Sequence, residues 1–138
     1  MTFFESTQRP AIASKVNSRK ADKGRVAYYS GLAAEEIVNR HYTMRGYQTL
    51  ARRWRGKAGE IDLICKDARG YVFVEIKKST SFERASHAFQ DRQARRIASA
   101  AEEFLGQQKG GLQNEMRIDL ALVDRAGRVQ TVENPVWF

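Results

Sequence analysis

The stretch Tyr71-Val72-Phe73-Val74-Glu75-Ile76-Lys77 constrains this chain more than any other. Successive side chains of a strand point to opposite faces. Val72, Val74 and Ile76 therefore share one face, and Tyr71, Phe73, Glu75 and Lys77 the other. A strand that is apolar on both faces belongs near the centre of a sheet covered on both sides. This one ends on two charges, and charge beside a core is expensive unless it is paired or bound to metal.

The segment before it has the same character. In Glu60-Ile61-Asp62-Leu63-Ile64-Cys65, strand alternation puts Glu60 and Asp62 on one face and Ile61, Leu63 and Cys65 on the other. Asp67 to Gly70 reads as a turn, because Asp and Gly tolerate hairpin backbone angles. A hairpin there lets Asp62 lie beside Glu75. Carboxylates converging with a lysine suit a hard cation, Mg²⁺ or Mn²⁺, which stabilises charge developing on a phosphate. Lys77 can orient the attacking water. A lone E-x-K is most often an ion pair closing a strand end. The fuller set of acidic strand, short turn, apolar strand ending in VEIK and basic helix favours a metal site.

Around this hairpin the chain alternates periods. Residues 1–23, with Lys15, Arg19, Lys20 and Lys23, lack apolar periodicity and read as a basic, disordered arm. Residues 24–138 read as one domain, the usual size for such a chain. A helix is predicted from Val26 to about Arg45, with Ala34, Ile37, Val38 and Tyr42 on one face and Gly46 as C-cap. Glu35 borders that apolar stripe. A strand follows over Tyr47 to Trp54. After Lys77 comes a polar loop, Ser79 to His87. A helix then runs from about Ala88 to Gln108, with Ala94, Ile97, Ala98, Ala101 and Leu105 along one face, and Gly110-Gly111 breaks it. Met116–Val123 and Arg128–Val132 complete the strands. The order α-β-β-β-α-β-β describes an α/β fold, a mixed sheet flanked by helices.

The 24 Lys+Arg against 16 Asp+Glu leave a net charge of +8 at pH 7, a field that attracts polyanions. A solvated basic surface is the plainer explanation of charge alone. The grouping of the cations is more specific. Arg53, Arg55 and Lys57 precede the acidic strand with Trp54 among them, Lys78 follows the VEIK strand, and Arg92 and Arg96 open the second helix. Such residues hold a nucleic-acid backbone without reading sequence. Gln93 can hydrogen-bond a phosphate or a water. No basic amphipathic helix suggests a membrane surface, and no apolar run approaches a membrane span. Cys65 is the only cysteine, which excludes a disulfide framework within one chain. With no secretory signal at the N-terminus, the expected location is the cytoplasm.

These residues resemble the YraN family of bacterial proteins, placed in the PD-(D/E)xK nuclease superfamily. The likeness rests on Gly31-x-x-x-Glu35, Gly59-Glu60-Ile61-Asp62-Leu63-Ile64 and Val72-Phe73-Val74-Glu75-Ile76-Lys77. Arg96-Ile97, Arg117-Ile118-Asp119 and the closing Glu133-Asn134-Pro135 add to it. The resemblance implies a restriction-endonuclease-like fold. It also implies Asp62 and Glu75 as metal ligands, Lys77 as catalytic lysine and Glu35 as a helix-borne acid completing a Mg²⁺ or Mn²⁺ site. The implied activity is metal-dependent endonuclease action, on DNA rather than RNA, at branched structures such as Holliday junctions. Cutting two strands of a junction implies a homodimer. A nucleic-acid-binding module that keeps the fold without cutting is the alternative. Two positions depart from the family: Ser79 stands where an arginine is usual, and Gln93 where a lysine is usual.

Overall fold

The computed structural model describes residues 33–78 and 91–134. The expected basic arm at residues 1–23, the start of the first helix, Gly31, the Ser79–His87 loop, the first turn of the second helix and Pro135 lie outside the described residues. The order read from the sequence is the order observed: α1 (33–43), β1 (Gln48–Arg55), β2 (Glu60–Lys66), β3 (Tyr71–Lys78), α2 (Asp91–Gly106), β4 (Met116–Val123) and β5 (Val129–Glu133). One short 3₁₀ turn, Gly111–Gln113, links α2 to β4.

The five strands form one sheet in the order β1-β2-β3-β4-β5. Neighbours are antiparallel except β3 and β4, which are parallel, with Val74 beside Asp119 and Glu75 beside Leu120. A parallel pair needs a crossover connection, and α2 lies within it. β3 is therefore the central strand its two apolar faces demand.

Each face carries its own core. On one, α2 contributes Ala94, Ile97, Ala101, Phe104 and Leu105, packed on Ile61, Ile64, Phe73, Ile118 and Leu120. On the other, Ala34, Val38 and Tyr42 of α1, spaced one helical turn apart, cover Leu63, Cys65, Val72, Val74 and Ala121. Gly46, at φ 94, ends α1 in the left-handed conformation that a glycine adopts without steric penalty. Cys65 is fully buried, and burial pushes its thiol up to about 12, so it serves as a small core hydrophobe.

The alternation expected for β2 fails at one point. Ile61 belongs to the α2-side core while Leu63 belongs to the α1-side core. They do not share the face that period two assigns them. The partner strand changes sides at the same level. Arg52, beside Leu63, reaches Glu36 of α1 at 2.9 Å, while Trp54, beside Ile61, packs edge-on against Phe104 of α2 at 5.4 Å. Between them stand Arg53 and Asp62. Arg53 has φ 53, a left-handed backbone that is uncommon for a residue with a side chain. The change of face at Arg53 on β1 is matched on β2 at Asp62, whose carboxylate bonds the β3 main chain.

Candidate metal centre and nucleic-acid interface

Pairing between β2 and β3 runs from Lys66–Tyr71 to Leu63–Val74. Beyond it Asp62 takes the place of main chain: its Oδ2 accepts the Ile76 N–H at 2.8 Å. This bond fixes the Asp62 carboxylate against the neighbouring strand, which also carries Glu75. The two carboxyls meet at hydrogen-bonding reach. Lys77 closes the group, with its Nζ 3.5 Å from Glu75 Oε2. The Glu75 side chain is 13% exposed and that of Lys77 28%.

Burial is the main reason both acids hold their protons more tightly than usual. It raises Asp62, with the charges of Glu35 and Glu60 adding to the effect and the Ile76 amide opposing it. Glu75 is pushed up to about 7 by burial and then by the facing Asp62, with Lys77 acting in the opposite sense. Two such groups repel when both are ionised. A divalent cation relieves that repulsion, and Mg²⁺ characteristically takes one or two protein carboxylates and completes its shell with water and phosphate oxygens. The donor set of Asp62 and Glu75 fits an ion of that kind.

Glu35 does not join them in this conformation. Its two oxygens accept from Arg53 Nε at 3.1 and 2.8 Å. Among the described residues no three His, Cys, Asp or Glu side chains are grouped to hold one ion. The structure thus brings together Asp62, Glu75 and Lys77, with Glu35 close enough for its charge to act on Asp62 but turned to a cation.

Of the expected phosphate contacts, Arg53 is engaged by Glu35, and Arg55 lies 3.5 Å from Glu60 while remaining largely exposed. Lys57, Lys78, Arg92 and Arg96 are exposed, and Gln93 is half-buried. Ser79 lies outside the described residues. Tertiary packing merges two basic groups that are far apart in sequence. Glu103 of α2 accepts the main-chain N–H groups of Lys57 and Ala58 at 2.9 to 3.1 Å, tying the β1–β2 turn to the helix. The Arg96 stem lies so close to Gly59 that a Cβ there would sit 2.9 Å from Arg96 Cγ. Lys57 and Arg96 thereby belong to one surface.

A profile of the uncharacterised protein family UPF0102 matches residues 34–123, a span that includes both strands of the site. The chain belongs to this family. UPF0102 and YraN denote the same group, so the resemblance carried by GEIDLI and VFVEIK is borne out. A UPF0102 protein of Roseobacter denitrificans is 48% identical over 128 residues, 93% of this chain and 95% of the relative. One from Ruegeria pomeroyi is 46% identical over 114 residues, 83% of this chain and 93% of the relative. Among solved structures, a repair endonuclease from Pyrococcus abyssi aligns with a TM-score of 0.38 and 17% identity, over 83% of this chain and 42% of that one. That likeness is too low to transfer any role to this UPF0102 chain.

Sequence reasoning missed one polar cluster, on the α1 side of the sheet. Asp119, 1% exposed, accepts from Tyr42 Oη at 2.6 Å and from Arg117 at 2.7 and 2.9 Å. Arg117 also donates to Tyr47 Oη at 3.2 Å and lies 3.8 Å from Glu133. Arg117-Ile118-Asp119 formed part of the resemblance, but the partner Tyr42 reads in sequence as one more apolar residue of a helix stripe. The only available signal was an Arg and an Asp two apart in an otherwise apolar strand.

Proposed function

We propose that this protein is a metal-dependent endonuclease that hydrolyses DNA phosphodiester bonds, with branched DNA as its preferred substrate. The observation that carries the reading is the Asp62–Glu75–Lys77 group at the parting of β2 and β3, two acids of raised proton affinity beside a half-buried lysine. Asp62 and Glu75 would hold Mg²⁺ or Mn²⁺. When bound, such an ion supplies positive charge to the phosphate oxygens as negative charge builds on them. Lys77, whose ammonium lies 3.5 Å from Glu75 Oε2, would donate an N–H to the oxygen of the attacking water. Overall, the oxygen of water would bond to phosphorus as the bond to one sugar oxygen breaks, and the proton that the water gives up would pass through solvent to that leaving oxygen. Asp62 stays in register through its bond from the Ile76 amide, so the pair keeps its geometry as substrate arrives.

The exposed cations of the β1–β2 turn and the first turns of α2 would position the phosphate backbone. A restriction-endonuclease-like ancestry, cytoplasmic location and action as a homodimer on four-way junctions belong to this same reading. Among the described residues no helix is long and apolar enough to cross a membrane.

The second reading is a nucleic-acid-binding module that cuts nothing, and the engagement of Glu35 by Arg53 favours it. One comparison separates the two. Wild type and Lys77→Ala are incubated with labelled four-way-junction, flap, single-stranded and duplex DNA in Mn²⁺, Mg²⁺ or EDTA. Cleavage that requires metal and falls at least about a hundredfold in Lys77→Ala is the expected result. Binding without cleavage in every metal, equal for the two proteins, sinks the nuclease and leaves the binding module.

A further inference from the structure

Within the described strands, Arg53 is the residue whose backbone is left-handed rather than extended. Its φ of 53 is unfavourable for a side chain as large as arginine, and such departures persist where the surroundings require them. Here the departure puts the Arg53 guanidinium against Glu35. Nε lies 2.8 and 3.1 Å from the two carboxylate oxygens, with Arg53 48% and Glu35 24% exposed. Glu35 is near enough to Asp62 for their charges to repel, yet it is not grouped with the other acids to hold an ion. Glu35 is thus an acid whose charge reaches Asp62 and whose carboxylate is paired with a cation of β1.

We propose that Arg53 is a built-in counter-ion that holds Glu35 out of the ion site and releases it when a divalent cation binds. The inference rests on the reading of Asp62 and Glu75 as ion ligands. A partly exposed ion pair is weak enough to exchange partners, and a doubly charged ion at Asp62 and Glu75 attracts Glu35 while repelling the guanidinium. Release turns one acid toward the ion and makes one cation available to a phosphate, so ion and nucleic acid load together.

The test measures Mn²⁺ affinity of the full chain by electron paramagnetic resonance in wild type, Arg53→Asn, Arg53→Lys, Glu35→Gln and the Arg53→Asn/Glu35→Gln double variant. Asn removes the charge yet accepts a left-handed backbone, and circular dichroism verifies the fold, with Arg53→Gly as the second choice. Arg53→Asn is expected to tighten Mn²⁺ binding about threefold to tenfold. Arg53→Lys should remain near wild type, and Glu35→Gln should erase the gain in the double variant. A purely structural Arg53 would not tighten binding when lost. Unchanged or weaker binding in Arg53→Asn, or a gain that survives Glu35→Gln, overturns the counter-ion while leaving the two-acid site intact. If neither wild type nor Arg53→Asn binds Mn²⁺ at millimolar concentration, the nuclease reading fails and the counter-ion with it.

Discussion

Glu75 couples the site to stability. Its ordinary value of 4.5 rises to about 7 in the fold, first through burial and then through Asp62. A carboxyl raised in this way binds more protons folded than unfolded, so its contribution is fully present below the unfolded value and is lost as pH climbs through the folded one. Urea unfolding in EDTA should therefore show stability falling by on the order of 1–3 kcal/mol between about pH 4.5 and 7. Glu75→Gln should lack that fall, and parallel pH profiles for the two proteins would refute the raised value. The residues involved are legible in the sequence alone. Charges at the end of a strand apolar on both faces are conspicuous, and Asp62 follows once the turn at Asp67–Gly70 is recognised. The pairing of Glu35 with Arg53 is not legible there, because it depends on one backbone angle that no residue pattern announces.

At the level of elements, the β2–β3 connection is held by contact with the start of β4. Tyr71 N donates to Glu115 O at 2.9 Å, and Asp67 N to Gly70 O at 3.1 Å. A Cβ on Gly70 would lie 2.5 Å from the Glu115 carbonyl oxygen, a main-chain atom that cannot swing aside. Gly70→Ala is accordingly expected to cost about 2 kcal/mol, seen as a lower Tm. An unchanged Tm would mean that the turn is loose enough to absorb a methyl group. The turn itself is readable from Asp and Gly; the reason that a glycine must stand there is not. It arises from a neighbour 45 residues along the chain, 115 less 70. The same limit applies to the face swap at Arg53 and Asp62, since period-two reasoning assumes an unbroken pleat.

Across the whole molecule, the cluster around Asp119 joins α1, the residue before β1, β4 and β5 on one face of the sheet. Hydrogen bonds and an ion pair satisfy a carboxylate that is otherwise sealed from water, and breaking such a pair strands the remaining charge. Asp119→Ala should lower unfolding stability by about 3 kcal/mol, against about 1 kcal/mol for Tyr42→Phe, which leaves the Arg117 ion pair in place. Urea titrations compare the two directly. Equal effects would show that the Tyr42 hydroxyl, rather than the ion pair, carries the cluster. Asp119 pairs with Val74, the residue before Glu75, but its carboxylate is held on the α1 side of the sheet by Tyr42 and Arg117. Its loss should therefore be felt in folding before it is felt in any ion affinity.

The sequence by itself determined the order of the elements, the central place of β3, the two helix faces and the meeting of Asp62, Glu75 and Lys77. The first three follow from local periodicity, because a helix or strand that must bury one stripe has few ways to do so. The meeting of the three side chains follows from the turn that pairs β2 with β3. Only the tertiary structure decided which core receives Ile61, why Gly70 has no side chain, what holds Glu35, and that Tyr42 reaches Asp119 across 77 positions. Those outcomes depend on distant groups brought to within a few ångströms by packing. Burial of the two cores offsets the cost of a left-handed arginine and a sealed ion pair, and that balance is struck by the fold as a whole.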